Sequence, residues 1–123
     1  MKKILILDDD ATFAESMTAT LEADNYEVKS AADGIDGLKL LETFTPDAIL
    51  LDVKMPRMGG LEFLRKVNEK FGEGKMPVLI TSNSSSLDTI SEGVELGIRG
   101  YVVKSSESLS SLSASVARLF STK

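Results

Sequence analysis

Four short apolar runs in this chain each end in side chains able to do chemistry. Ile4-Leu5-Ile6-Leu7 is followed by Asp8-Asp9-Asp10, Ala48-Ile49-Leu50-Leu51 by Asp52, Val78-Leu79-Ile80 by Thr81 and Ser82, and Tyr101-Val102-Val103 by Lys104. Singly, each residue has an ordinary reading. An Asp after a strand commonly caps the next helix, which is the reading given to Asp10; a lone Ser is a turn residue and a lone Lys a solvated charge. Brought together they behave differently. Two like charges about 4 Å apart repel by roughly 4 kcal/mol at an effective dielectric of about 20, so carboxylates crowded into one crevice call for a cation. Hard oxygen ligands in a partly hydrated site suit Mg²⁺, which takes a few carboxylates plus waters and substrate phosphate. Lys104 can act as a point charge on a phosphoryl oxygen, and Ser82 can donate a hydrogen bond to another. An Asp carboxylate is a competent nucleophile toward phosphorus, and the rest of phosphoryl transfer is positioning and charge neutralisation.

Whether these residues meet depends on the elements that carry them. The wholly apolar runs at 4–7, 48–51 and 78–80 have the composition of strands buried on both faces, and Tyr101-Val102-Val103 is read as a fifth strand. Tyr26 to Ala31 alternates apolar and polar residues, as an edge strand does. Between the strands run helical periodicities: Phe13, Met17 and Leu21; Ile35, Leu38, Leu41 and Phe44, stopped by Thr45-Pro46; Leu61, Leu64, Val67 and Phe71; Leu87, Ile90, Val94 and Ile98, weakened by Gly93 and Gly97; and Leu109, Leu112, Val116 and Leu119. Thr12 and Glu15 have capping-box spacing, and Asp33-Gly34 reads as a turn. Five strand–helix units predict an α/β fold: a doubly wound, five-stranded parallel sheet of order 2-1-3-4-5 between helical layers, a flavodoxin-like three-layer sandwich. In such a sheet a site forms beyond the carboxyl ends of the strands, at the switch point between strands 1 and 3. All the residues named above fall there.

Composition narrows the chemistry further. The 123 residues suit one domain, spanning 1–123, and the 42% hydrophobic and 27% charged fractions are those of a folded globule. There is no Cys and no His, which removes disulfides, thiolate and imidazole metal ligands, and the commonest general base. With 14 Lys plus Arg against 19 Asp plus Glu, the net charge of −5 makes direct nucleic-acid binding a poor expectation. The apolar run after Met1-Lys2-Lys3 is too short for a signal peptide or a membrane span, so a cytoplasmic protein is expected.

The Asp8-Asp9 pair, Asp52 within Ile49-Leu50-Leu51-Asp52-Val53-Lys54-Met55-Pro56, Ser82, and Gly100-Tyr101-Val102-Val103-Lys104 together resemble the receiver domains of bacterial two-component response regulators. The resemblance spans the whole chain. It implies that Asp52 is the phosphoacceptor, and that Asp9, Asp52 and the backbone carbonyl of Lys54 ligate Mg²⁺ while Asp8 supports the ion through water. It also implies that Ser82 holds a phosphoryl oxygen, that Lys104 pairs with the phosphoryl group, and that the Tyr101 rotamer accompanies the Ser82 shift. Such a domain catalyses its own phosphorylation and dephosphorylation without turning over an external substrate. The implied donor is a phosphohistidine on a sensor histidine kinase or histidine phosphotransfer protein. The implied output is a change on the helix 4–strand 5–helix 5 face, read by a downstream protein, a C-terminal output domain or a second copy in a homodimer.

Three features of the sequence set it apart within the family pattern. Ser105 stands where Pro usually follows the lysine; a cis bond at a non-proline residue costs about 2.5–4 kcal/mol, so a trans bond or a strained loop is expected. Lys54 and Ser84 fall at variable positions lining the entrance to the site. Thr81 puts a hydroxyl where the family is mostly apolar, and a hydrogen bond to nearby backbone is expected for it. The other readings are a receiver-like interaction module or designed scaffold that is not phosphorylated, and a haloacid dehalogenase-type phosphatase. The phosphatase would use Asp8 in Asp8-Asp9-Asp10-Ala11-Thr12; it leaves Asp52 without a role and finds only Glu107 as a carboxylate after the lysine. A flavin-binding version of the fold lacks its phosphate loop after strand 1.

Overall fold

A computed structural model of the chain describes residues 1–83 and 86–121. Strands β1 (Lys3–Leu7), β2 (Glu27–Ala31), β3 (Ala48–Leu51), β4 (Val78–Ser82) and β5 (Gly100–Val103) alternate with helices α1 (Ala11–Ala23), α2 (Gly34–Leu40), α3 (Gly60–Phe71), α4 (Leu87–Glu95) and α5 (Leu109–Leu119). The strands are all parallel in the order β2-β1-β3-β4-β5, the predicted doubly wound sheet. Alternation within the apolar runs builds the layers, because successive strand side chains point to opposite faces. Leu5, Leu7, Ile49, Leu51, Val78 and Ile80 pack with Phe63, Leu64 and Val67 of α3 and with Leu41 and Phe44. Ile4, Ile6, Ala48, Leu50 and Leu79 pack with Ala14, Met17 and Leu21 of α1 and Leu112 and Val116 of α5.

Several boundaries differ from the sequence reading. β2 begins at Glu27 rather than Tyr26. α1 is capped by Asp10, whose carboxylate accepts from the Phe13 amide at 3.1 Å, not by a Thr12–Glu15 box; Thr12 is already inside the helix. Asp33 is likewise the N-cap of α2, accepting from the Asp36 amide at 2.9 Å. That helix ends at Leu40, and Leu41 and Phe44 reach the core from the turn beyond it.

The largest revision concerns α4. Leu87 and Val94, expected on its buried face, are 79% and 62% exposed. The residue turned inward is Gly93, where a Cβ would lie 2.9 Å from Ile98 Cδ1 and 3.1 Å from Ile80 Cδ1. Backbone takes the place of side chain at this contact, so the helix rotates its apolar periodicity partly toward solvent. Gly97 does not loosen the helix; it follows the last turn with φ of +89°, the left-handed conformation that ends helices.

At the amino ends of the strands, residues near the two ends of the described chain meet. Phe120 stacks on Tyr26 with ring centroids 6.2 Å apart, and Lys2 Nζ lies 5.0 Å from the Phe120 ring centre. Ser113 of α5 hydrogen-bonds Asp24 at the end of α1. No helix among the described residues is long and apolar enough to cross a membrane.

Candidate functional site

The carboxyl ends of β1, β3, β4 and β5 open onto a crevice of about 330 Å³ lined by Asp9, Asp10, Asp52, Lys54, Ser82, Asn83 and Lys104. Parallel pairing sets its walls. Leu7 lies opposite Leu51 in the β1–β3 register and accepts the Asp52 amide at 2.8 Å, so Asp8, Asp9 and Asp52 emerge side by side. Each of these three Asp offers a carboxylate oxygen, and those oxygens lie within 4.8 Å of one another. Ser82 ends β4 opposite Val103, which places Lys104 one residue further on, across the crevice mouth.

Asp8 is buried and doubly held. One oxygen accepts the Asp10 amide at 2.9 Å; the other takes Lys104 Nζ at 2.7 Å. The same ammonium is 3.8 Å from Asp52 Oδ2 and 4.6 Å from the ring centre of Phe13, a cation–π distance. Asp9 faces solvent, while Asp52 is only 7% exposed. Burial, reinforced by the Asp8 carboxylate and opposed by Lys104, pushes the Asp52 carboxyl up to about 6. A buried carboxyl near like charges and one ammonium is a group whose ionisation responds strongly to any added cation. Three clustered carboxylates, the Asp9 one exposed, beside a crevice with room for water, fit a hard divalent cation that keeps part of its hydration.

The sequence-predicted residues fall as follows. Asp9, Asp52, Ser82 and Lys104 line the crevice together, and Lys54 flanks it. Asp8 sits behind it as the partner of Lys104. Tyr101 is half-buried, opposite Ile80 in the β4–β5 register and packed on the α3 side of the sheet; it does not line the crevice. Ser84 lies outside the described residues. Thr81 is buried within β4 opposite Val102. Lys104–Ser106 form a single 3₁₀ turn, no described peptide bond is cis, and Ser108 then caps α5 by accepting the Ser111 amide at 3.0 Å; the trans expectation at Ser105 holds. Sequence reasoning missed Phe13. Its spacing with Met17 and Leu21 marked it as core, and it does pack there, but its ring also supports the lysine. Lys104 reaches across the crevice to Asp8, and Phe13 stands in the first turn of the helix that follows that aspartate, which brings the two together.

The sequence matches the Response regulator receiver domain family over residues 4–116. It is 34% identical over 102 residues to the response regulator MprA of Mycobacterium sp. (strain KMS) and 35% identical over 103 residues to that of Mycobacterium tuberculosis, in each case covering 83% of this chain and 44% of the relative. The chain thus spans less than half the length of these relatives. Among solved structures, the chemotaxis protein CheY4 of Vibrio cholerae superposes with a TM-score of 0.90 at 31% identity, covering 98% of this chain and 99% of that one. The receiver domain of Francisella response regulator 1452 superposes at 0.85 and 28%, covering 97% and 96%. Matched by the family over residues 4–116 and superposing on receiver structures across nearly its whole length, the chain belongs to the receiver-domain family of two-component response regulators.

Proposed function

We propose that residues 1–123 act as a single phosphoacceptor unit in which Asp52 takes a phosphoryl group from a phosphohistidine donor. The observation that carries this reading is the position of the Asp52 carboxylate: nearly buried at the crevice, within 4.8 Å of Asp8 and Asp9 carboxylate oxygens and 3.8 Å from Lys104. In the reaction an Asp52 oxygen attacks phosphorus, the N–P bond of the donor breaks, and its electron pair returns to the imidazole nitrogen. The donor histidine lies outside residues 1–123, which contain none, on a sensor histidine kinase or a phosphotransfer protein. Asp9, Asp52 and the Lys54 carbonyl would hold Mg²⁺, with Asp8 acting through water. Once bound, the ion offsets the charge of the carboxylates and of the incoming phosphoryl oxygens. Lys104 pairs with one such oxygen and Ser82 donates to another.

The alternative nucleophile, Asp8, has both oxygens engaged, by the Asp10 amide and by Lys104, which disfavours a phosphatase built on it. Burial of Asp52 beside that ion pair equally favours a working acceptor over a silent scaffold.

The added phosphoryl charge then biases Ser82, the segment leading to α4, and Tyr101 toward a second packing, a population shift of the α4–β5–α5 face. Readers of that face would be a downstream protein, an attached C-terminal output domain such as the longer relatives have room for, or a second copy; no nucleic acid or membrane contact is proposed for the domain itself, and a cytoplasmic setting suits a kinase donor. The test is incubation with Mg²⁺ and acetyl phosphate, followed by intact and peptide mass spectrometry. A Mg²⁺-dependent phosphoryl adduct at Asp52, absent from Asp52→Asn, is expected. No adduct, and no beryllofluoride complex, would remove the phosphoacceptor reading and leave an interaction module.

A further inference from the structure

The segment joining β3 to α3, residues 52–59, belongs to neither strand nor helix, yet it carries the Lys54 carbonyl. Its base is closed by the Gly60 amide donating to the Val53 carbonyl at 2.8 Å, and its interior by the Met58 amide donating to the Pro56 carbonyl at 2.7 Å. What fixes its outer end comes from a different loop. Arg57 Nε lies 2.7 Å from Asp33 Oδ2 and its Nη2 lies 3.0 Å from Asp36 Oδ1, so one guanidinium fork grips both the N-cap carboxylate and the first-turn carboxylate of α2. Beside it the Gly34 amide donates to the Met58 carbonyl at 3.0 Å. The buried Met58 side chain fills the space over Gly34, where a Cβ would come within 2.6 Å of Met58 Cγ.

Arg57 makes this grip from a left-handed backbone, with φ of +64°. Non-glycine residues hold that conformation only where surrounding contacts over-determine it. Here the contact is a charge-assisted pair whose acidic partner is buried: Asp33 is 5% exposed, and the hydrogen bond from Arg57 holds its carboxyl below the usual carboxylate range. A lysine would offer one point charge and not the two-armed fork.

We infer that Arg57 and Asp33 are positioning residues for the acidic crevice: their clamp ties the β3–α3 loop to the start of α2 and so sets where the Lys54 carbonyl stands relative to Asp9 and Asp52. The inference rests on the reading of that carbonyl as a Mg²⁺ ligand. Mg²⁺ demands near-ideal octahedral geometry, so a loop free to shift by a fraction of an ångström binds it less well, as happens when partners behind metal ligands are removed.

Two substitutions separate positioning from simple stability. Arg57→Gly removes the clamp while relieving the left-handed backbone. Asp33→Asn removes the charge but leaves an oxygen to cap α2. Each is titrated with Mg²⁺ alone and followed by amide NMR at Asp9, Asp52 and Lys54, with amide hydrogen exchange at Gly34 read in the metal-free protein. Expected are about tenfold weaker Mg²⁺ binding in both variants, no further loss in the double variant, and faster exchange at Gly34, with the thermal midpoint of Arg57→Gly close to that of the parent. Mg²⁺ affinity within twofold of the parent in both variants overturns the inference and leaves the pair a structural tie. A parent protein that shows no Mg²⁺-dependent shift at these amides overturns the phosphoacceptor reading and this one with it.

Discussion

Lys104 Nζ stands 2.7 Å from Asp8 and 3.8 Å from Asp52, so in this state the lysine belongs to the carboxylate behind the crevice and only leans toward the one inside it. Both partners of the closer pair are nearly buried, with side-chain exposures of 9% and 0%. Removing one partner of such a pair leaves an uncompensated charge, typically costing about 3–5 kcal/mol. Lys104→Met is therefore expected to destabilise the metal-free protein by about 3 kcal/mol. Millimolar Mg²⁺ recovers part of the loss, since the cation takes over the same neutralisation. Urea unfolding in EDTA and in Mg²⁺ measures both.

Asp52 gives a pH dependence of the opposite sign to that of a salt-bridged carboxylate. Its folded-state value, about 6, lies above the ordinary 3.8, so between those values the native state binds more protons than the unfolded chain. Stability must then fall as pH rises from about 4 to about 6 and level off above. The full shift corresponds to about 3 kcal/mol; the crevice opens to water, which reduces the expected effect to about 1–2 kcal/mol. Asp52→Asn should accordingly be more stable than the parent by that amount at pH 7.5 without metal, with the gain shrinking toward pH 4. Equal stabilities at both pH values in urea titrations would contradict the raised value.

Gly60 opens α3 directly against the end of β3. A Cβ there would overlap the carbonyl oxygen of Asp52 and lie 2.9 Å from Val53 Cα, backbone atoms that cannot rotate aside. Gly60→Ala is expected to cost about 2–4 kcal/mol and to shift the Asp52 amide resonance, whereas Gly74→Ser, with nothing within 4 Å of the position, meets only the strain of its positive φ. Thermal and urea unfolding of the pair of variants, with their amide spectra, checks the contrast.

Leu87 and Val94 test the revised orientation of α4. Exposed as they are, Leu87→Ser and Val94→Ser should each change stability by no more than about 0.5 kcal/mol. A loss above 2 kcal/mol in urea unfolding would return them to the core, as their spacing first suggested.

The apolar runs 4–7, 48–51 and 78–80 were legible as buried parallel strands because burial on both faces leaves no other composition. Their ends delivered Asp9, Asp52 and Ser82, and the end of Tyr101-Val102-Val103 delivered Lys104, to one crevice through the strand order alone. What was not legible depended on atoms with no periodicity to announce them. Gly93 carries no side chain to mark the inward face of α4, so the periodicity of Leu87 and Val94 pointed the wrong way. Phe13 obeyed the helix period yet serves a lysine 91 residues later in the chain. Arg57 and Asp33 meet across two loops, where a Pro-Arg-Met turn and an Asp-Gly pair signal only that the chain bends.

The stack of Lys2, Phe120 and Tyr26 at the amino ends of the strands has a practical corollary. The two ends of the fold lie together on the side away from the aspartates, so a fluorescent reporter or a second domain spliced at either end would hang clear of the crevice. The same adjacency makes the chain a natural candidate for circular permutation.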